Sequence, residues 1–299
     1  MTRRIDYRTA LRIGAVLMFL TLAGATYQGV ATALERRTFP RTGGMVAVGD
    51  HQLHISCMGD GSPTVVLEAP AAGMSAAWGA VQPDVAAITR VCAYDRAGLG
   101  WSERGDRPYD AVATVGELKT LLQQAGEQAP FVVVGHGLGA AFATLFASRF
   151  ATDTAALVLV DDGAASRRPA EPALLVRYPG ALPWLARTGI LRASGGLCSM
   201  TTRLPEPSAG ALCAFLTRPD HLSRTADEVS GWEVATALAA DAKISAAIPT
   251  SRLVVFGDAR VAFLGAADSA AVVGAIRAAV EGARNAVAPP AGAATPDAP

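Results

Sequence analysis

The sequence carries no excess charge of either sign, since 26 basic side chains balance 26 acidic ones over 299 residues. No basic run or face stands out, and this argues against a nucleic-acid-binding protein. Histidine and cysteine are scarce, with four of each, and none lies at the spacing of a zinc site. We therefore expect no metal and no other cofactor. The sequence also has no internal repeat, which disfavours a repeat architecture.

Apolar residues make up 51% of the chain, and one uncharged stretch stands out at residues 13–34. A stretch of about 22 residues can cross a hydrocarbon core of about 30 Å as a helix. Arginines on both sides favour a cytoplasmic N-terminus. Alternatively, Ala31-Thr32-Ala33 matches the A-x-A pattern of a signal-peptide cleavage site, or the stretch is a buried core helix. The first two interpretations place the domain outside the cytoplasm, either membrane-anchored or, after cleavage, secreted or periplasmic.

The four cysteines are consistent with an exported domain. They form an even number, which in an exported chain indicates disulfides; they are Cys57, Cys92, Cys198 and Cys213. Their connectivity stays open at this point because four cysteines allow three pairings. Four buried free thiols are the alternative.

Strands and helices alternate along most of the remaining chain. Short apolar runs at residues 64–68, 131–134 and 157–160 predict buried strands, and residues 111–125 and 139–150 have a helical pattern. All-apolar strands in such an alternation predict an α/β fold, with a mostly parallel twisted sheet covered by helices on both faces. Further elements are predicted as a hairpin (45–48 and 52–58), two strands (90–94 and 252–256) and a closing helix (270–283).

A Pro- and Leu-rich stretch interrupts this alternation. It predicts a helical cap inserted over the carboxyl edge of the sheet, where ligands bind in α/β folds. We divide the chain into a basic flank (1–12), the apolar segment (13–34), a core (44–165 and 249–285), the cap (166–248) and a disordered Pro/Ala tail (286–299).

Three motifs follow one another along the core. The strand at residues 131–134 runs into Gly135-His136-Gly137-Leu138-Gly139 and then a helix, the context of a G-x-S-x-G nucleophile elbow. Asp95-Arg96-Ala97-Gly98-Leu99-Gly100-Trp101-Ser102 precedes this elbow, and Leu157-Val158-Leu159-Val160-Asp161 follows it. With the motifs in this order, residues 44–284 resemble the α/β-hydrolase superfamily of esterases, lipases and haloalkane dehalogenases.

The resemblance implies catalytic positions that this chain leaves vacant. Esterases and lipases have serine at the centre of the elbow and haloalkane dehalogenases have aspartate, whereas this chain has Gly137. Without a side-chain nucleophile no acyl-enzyme forms. The family's histidine base lies in a loop before the closing helix, and no histidine follows Asp258 here. We interpret Ala262 as the vacant base position.

The resemblance also implies where a triad carboxylate would lie. Asp258 follows the penultimate strand, and Asp161 and Asp162 follow the sixth, so these three are the candidate acids. Each is alternatively an ordinary turn or strand-end residue. Only three residues separate the strand at 252–256 from residues 260–264, whereas a parallel crossover needs about a dozen. The last crossover or strand of the fold is therefore expected to be truncated.

Backbone donors and disulfides follow from the same resemblance. The oxyanion-hole candidates are the N–H groups of Leu138 and Ala71, because Pro70 stands where the family usually has glycine and has no N–H. In the family's strand order the second strand pairs with the fourth, which implies a Cys57–Cys92 disulfide. The two remaining cysteines both lie in the cap, which implies a Cys198–Cys213 disulfide.

Three functions are compatible with these residues. The first is a degenerate, non-catalytic hydrolase homologue that binds a small apolar or ester-like ligand, or a partner. The second is an active hydrolase with a relocated base, for which His136 and His221 are the candidates, although His136 is expected to pack beside the elbow and His221 to lie on the cap surface. The third is a membrane-tethered interaction domain. A closed apolar pocket would favour ligand binding, and an exposed apolar patch on the cap would favour the interaction domain.

Overall fold

The computed structural model describes residues 6–161, 178–254 and 263–287, and seven strands within these residues form one sheet. The strands are β1 (Gly44–Val48), β2 (His51–Met58), β3 (Thr64–Glu68), β4 (Val91–Tyr94), β5 (Phe131–His136), β6 (Thr154–Asp161) and β7 (Thr250–Val254). Their order in the sheet is β1-β2-β4-β3-β5-β6-β7. The first two pairs in this order, β1 with β2 and β2 with β4, are antiparallel, and all other neighbours are parallel. This confirms the mostly parallel sheet that the sequence predicts.

Helices cover both faces of the sheet, because successive apolar side chains of each buried strand point to opposite sides. Val66, Val133 and their neighbours pack against the helices at 111–124, 138–149 and 232–241 on one face. Val65, Val132 and their neighbours pack against the helices at 82–86 and 266–287 on the other. The described helices are α1 (Tyr7–Thr38), α2 (Gln82–Ala86), α3 (Ala111–Gln124), α4 (Leu138–Arg149), α5 (Leu182–Arg187), α6 (Ile190–Ser194), α7 (Ser208–Leu216), α8 (Pro219–Ser230), α9 (Trp232–Asp241) and α10 (Ala266–Val287).

The described part of the cap, from residue 178 onward, consists of the short helices α5 to α9. They surround a third apolar cluster in which Leu212, Phe215 and Leu222 pack against Ala72 and Met74 of the loop after β3. The cap is therefore packed directly on the carboxyl edge of β3, beside the elbow. Residues 166–177, the start of the predicted cap, lie outside the described residues.

In the part of the chain that the structure describes, the sheet ends at β7. Among the described residues no strand follows β7, and residues 263–265 lead irregularly into α10. The predicted strand at 252–256 is found as Thr250–Val254, and residues 255–262 lie outside the described set. The closing helix runs to Val287, so the predicted tail begins inside it, and residues 288–299 are again outside.

Both expected disulfides are present. Cys57 and Cys92 face each other across the β2/β4 pair, with a Cα–Cα distance of 4.0 Å. Cys198 and Cys213 join α7 to the turn before it. No free cysteine remains.

The N-terminal apolar segment is one helix of 32 residues, long and apolar enough to cross a membrane, with a mean hydropathy of 1.6 over its most apolar window. It is longer than the predicted 13–34, because Asp6 caps it by accepting a hydrogen bond from Thr9 N at 3.0 Å, so part of the basic flank is helical. Residues 7–23 of this helix are exposed and contact no other part of the described chain closely enough to be buried. From Gly24 onward one stripe of the helix packs on the cap, where Gln28 is buried and donates to Thr217 O at 2.9 Å.

Candidate functional site

The elbow of the sequence motif is present as backbone geometry. β5 ends at His136, α4 begins at Leu138, and Gly137 between them has φ 55° and ψ −121°. A non-glycine residue in such a sparsely populated conformation costs about 1–3 kcal/mol. The N–H of Gly137 donates to Val160 O at 3.1 Å, which ties the turn to β6.

The three elbow glycines have different structural reasons. A Cβ on Gly135 would lie 2.3 Å from Gly139 O, and a Cβ on Gly139 would lie 2.3 Å from Glu68 O, so both positions require glycine for close approach of the main chain. A Cβ on Gly137 would meet only Pro70, at 3.4 Å from its Cβ, which is ordinary contact. The space at the centre of the elbow therefore admits a side chain, and the missing nucleophile is not forced by packing.

The loop after β3 lies beside the elbow, because β3 and β5 are parallel neighbours that end together. Residues 70–73 form a tight turn in which Gly73 N donates to Pro70 O at 3.0 Å, with Ala72 at φ 57°. Ala71 is buried within this turn. Leu138, as the first residue of α4, has an N–H with no acceptor inside the helix. The two candidate oxyanion donors are therefore brought to the same edge of the sheet.

Two side chains donate hydrogen bonds to carbonyl groups of this loop: Arg96, which follows β4, and His221, from the cap. Arg96 is buried and donates to Ala69 O at 2.7 Å and to Pro70 O at 3.0 Å. Its guanidinium also forms a two-pronged ion pair with Glu228 of α8, at 2.7 Å and 3.0 Å. This pair couples the cap helix to the loop. Its partners are 132 residues apart in the chain, so no local sequence pattern indicates it.

His221 holds the same loop from the cap. Its Nδ1 accepts a hydrogen bond from Gly100 N at 3.1 Å, and its Nε2 lies 2.9 Å from Ala72 O, so Nε2 carries the proton and donates. The residue is buried rather than on the cap surface as expected. Burial lowers the pKa of His221 to about 4, so the ring is neutral at pH 7. Since its one lone pair is already used, it has none with which to accept a substrate proton.

Glu68, the last residue of β3, is a buried carboxyl beside the elbow whose pKa is shifted. It is fully buried, and burial raises the pKa of Glu68 to about 7, although Arg96 and the hydroxyl of Tyr94 oppose this shift. Tyr94 donates to its Oε1 at 2.7 Å, whereas Oε2 has no hydrogen-bond partner among the described residues. The composition of the strand did not reveal this carboxyl, because β3 otherwise reads as a run of core residues.

The segment at residues 95–102 is held in place by hydrogen bonds to the side chain and main chain of Asp95. Asp95 accepts from Ser75 N at 2.6 Å and Trp101 N at 2.8 Å, and lies 3.0 Å from His54 Nδ1. Burial alone would lower the pKa of His54, but Asp95 outweighs it and raises that pKa. Ser102 Oγ donates to Asp95 O, so this motif serves to position the loop around the elbow.

The remaining candidates divide into those the structure describes and those it does not. His136 ends β5 and packs its ring edge-on against Trp78 at 6.4 Å between centroids. Asp161 is the last residue of β6, beside the elbow edge. Asp162, Asp258 and Ala262 lie outside the described residues.

A cavity of about 710 Å³ lies away from the elbow, between the β1–β2 turn and α3. Its lining includes Asp50, His51, Glu117 and Arg224, but none of the residues of the elbow or of the turn at 70–73. The one grouping with metal-ligand spacing among the described residues is Cys57, Cys92 and Glu127. Both sulfurs are in a disulfide and Glu127 is paired with Arg90 at 2.7 Å, so these atoms are not free to ligate.

Comparison with known sequences supports the geometry. The sequence profile described as the alpha/beta hydrolase family matches residues 57–299. An uncharacterized protein of Schizosaccharomyces pombe is 32% identical over 124 residues, which cover 41% of this chain and 23% of that protein. The uncharacterized protein YqjL of Bacillus subtilis is 32% identical over 103 residues, 34% of this chain and 41% of that one. The chain thus spans less than half the length of these curated relatives.

Solved structures agree on the fold. The Cif epoxide hydrolase of Acinetobacter nosocomialis superposes with a TM-score of 0.62 at 16% identity, over 83% of this chain and 85% of that one. The epoxide hydrolase CorEH superposes with a TM-score of 0.53 at 20% identity, over 71% of this chain and 81% of that one. At such identities the likeness concerns the fold alone.

Proposed function

Since the chain belongs to the alpha/beta hydrolase family, we propose that it is a membrane-anchored member that binds an apolar, ester-like molecule at its elbow without hydrolysing it. The observation that carries this proposal is the elbow itself. Its strand–turn–helix backbone is intact around Gly137, yet the residue offers no atom that could attack a carbonyl.

The environment of the elbow supports binding without turnover. The N–H of Leu138, at the N-terminus of α4, and the turn at residues 70–73 form an edge suited to a carbonyl oxygen. Arg96 and His221 hold that turn through its carbonyl groups, so the edge is pre-organised before any ligand arrives. Such a site stabilises an ester carbonyl in the ground state but supplies no covalent step.

The alternative of a relocated base receives less support. A hydrolase using His221 needs a free lone pair on that ring, and Nδ1 already accepts from Gly100 N. Its pKa of about 4 also makes it a weak base at neutral pH. Neither feature suits a general base.

Retention of the N-terminal helix is part of the proposal. Cleavage within Ala31–Ala33 would remove Gln28, which donates to Thr217 O and accepts from Arg192 Nε at 2.9 Å. Glu35, two residues beyond the cleavage pattern, pairs with the same arginine. These polar contacts on an otherwise apolar helix support an anchor that stays attached to the cap.

The test is ester turnover and ester binding by the full chain in detergent micelles. We expect no hydrolysis of p-nitrophenyl butyrate by the wild type or by Gly137→Ser, and binding of the intact ester as a rise in melting temperature for both. His221→Gln serves as the control for a relocated base. Turnover by the wild type that His221→Gln abolishes would establish the relocated-site hydrolase instead. Turnover gained by Gly137→Ser alone would mean that a base is present, and failure of either protein to bind the ester would exclude the ligand proposed.

A further inference from the structure

The exposure of α1 changes at Gly24. All side chains from Tyr7 to Ala23 are exposed, whereas a stripe beginning at Gly24 packs on the cap. The uncovered part has 17 residues and spans about 26 Å at 1.5 Å per residue. Arg8 and Arg12 lie in its first two turns, where their side chains can extend back to the membrane surface. In the anchoring proposed above, the outer boundary of the bilayer lies near Gly24, where the contacts with the cap begin.

The cap meets the helix at that same level. A Cβ on Gly24 would lie 2.0 Å from Thr188 O, so the turn between α5 and α6 is in main-chain contact with the helix. Gly189 approaches equally closely, since a Cβ there would lie 2.9 Å from both Gly24 O and Tyr27 Cδ1. The α5–α6 turn is thus held where the chain would leave the bilayer.

The outward side of α5 and α6 is apolar. Trp184 is 70% exposed, Ile190 56% and Leu185 40%, and we call these three residues the cap patch. Leu182 and Ala186 of α5 are buried in the cap, so this short helix is apolar on both its inner and outer sides. A helix that is apolar on its outer side as well is not typical of a surface bathed in water.

The residues around the cap patch have the composition of a membrane–water boundary. Tyr27 on α1, 48% exposed, lies at the same level, and tryptophan and tyrosine are enriched at this boundary. Arg187 holds its guanidinium 4.7 Å over the Trp184 ring, where it can reach lipid phosphates while its stem stays in apolar surroundings. The cap patch therefore adjoins α1 at the level where α1 leaves the bilayer.

From this continuity we propose that the cap patch is inserted into the outer leaflet of the bilayer that α1 spans. The cap is then a second membrane-contacting element, held at a fixed depth by the contact at Gly24. The domain therefore lies directly on the membrane surface. This inference depends on the proposed anchoring of α1. A protein partner is the competing occupant of the same patch.

The test uses the full chain reconstituted into phosphatidylcholine vesicles whose acyl chains carry bromine, which quenches tryptophan fluorescence on contact. All four tryptophans lie in described residues, and only Trp184 is strongly exposed. We expect quenching of the wild type relative to unbrominated vesicles, and loss of that quenching in Trp184→Phe. Vesicle flotation of the same samples reports the anchor separately.

A charged variant provides a second readout. Leu185→Glu leaves Trp184 in place but should reduce its quenching, because a carboxylate is costly to insert beside it. Val234→Glu is the matched control, since Val234 on α9 is 63% exposed but belongs to the helix that packs on α4, and we expect its quenching to equal that of the wild type.

The outcomes are distinct. Flotation without quenching of the wild type, or quenching that persists unchanged in Trp184→Phe, would overturn insertion of the cap patch while leaving the anchor intact, and would favour a protein partner. Failure of the chain to float would overturn the anchor, and the inserted cap patch with it.

Discussion

The buried histidine of the cap gives the sharpest quantitative prediction. His221 is tied to Gly100 N and Ala72 O, and burial lowers its pKa to about 4, against 6.5 in an unfolded chain. As the pH falls through this window, the unfolded chain takes up a proton at His221 and the folded chain does not. Stability is therefore lost between about pH 6.5 and pH 4, by about 3 kcal/mol in total.

The whole-protein profile does not display this loss by itself. Burial raises the pKa of Glu68 from 4.5 to about 7, so the folded chain retains a proton there that the unfolded chain has released. Stability from Glu68 is full below pH 4.5 and is lost as the pH rises toward 7, opposite in sign to the effect of His221. The two effects offset each other, and the contribution of His221 must be isolated as a difference.

The assay is urea denaturation of the wild type and of His221→Gln in detergent, followed by circular dichroism at pH 7 and at pH 4. Glutamine retains the donor to Ala72 O and does not titrate, so the Glu68 effect cancels in the difference. At pH 7 we expect the variant to be less stable by about 1 kcal/mol for the lost hydrogen bond to Gly100 N. At pH 4 that difference should move in favour of the variant by about 3 kcal/mol. A difference that is the same at both pH values would refute the buried, doubly bonded ring.

Three further predictions concern stability, each measured by denaturation of the full chain in detergent. Gly139→Ala should destabilise the fold more than Gly137→Ala, because its Cβ would lie 2.3 Å from a main-chain oxygen; equal losses would contradict the close approach at the elbow. Glu228→Gln should cost about 3 kcal/mol, since it leaves a buried arginine without its counter-charge, and a near-neutral effect would mean that water reaches the pair. Replacing Cys198 and Cys213 together by serine should lower the free energy of unfolding by about 3 kcal/mol, since the disulfide closes a loop of 15 residues. An unchanged free energy of unfolding would indicate that this segment of the cap keeps its structure in the unfolded state.

Much of the core could be predicted from local patterns. Short runs such as Thr64–Glu68, rich in β-branched residues and bounded by turn residues, are typical of strands buried on both faces, and the structure has this strand with the same bounds. The elbow was predictable because its G-x-G-x-G pattern follows a buried strand, precedes a helix and lies between two further motifs in a fixed order. The pairing of Cys57 with Cys92 was predictable only through the family's strand order, since residue spacing alone allows three connectivities.

The contacts of the cap with the core and with the N-terminal helix could not be predicted from such patterns. His221 reads from the sequence as a polar residue on a surface helix, and only its two partners, 121 and 149 residues away, make it a buried tie. In the same way, the apolar stretch at 13–34 fits a uniform membrane span until Gln28 is seen bonded to Thr217 O. Long-range polar contacts of this kind leave no periodic trace in the chain.

The sequence by itself determined the order of strands and helices, the glycine elbow and the absence of a nucleophile at Gly137, because each depends on the identity of residues close together in the chain. The tertiary structure decided how the elbow is supported. It brought Arg96, Glu228 and His221 to the loop after β3 and placed the cap against the N-terminal helix at Gly24. The physical reason is that buried polar groups must find partners wherever the packing of the whole chain provides them, at separations that local periodicity does not encode.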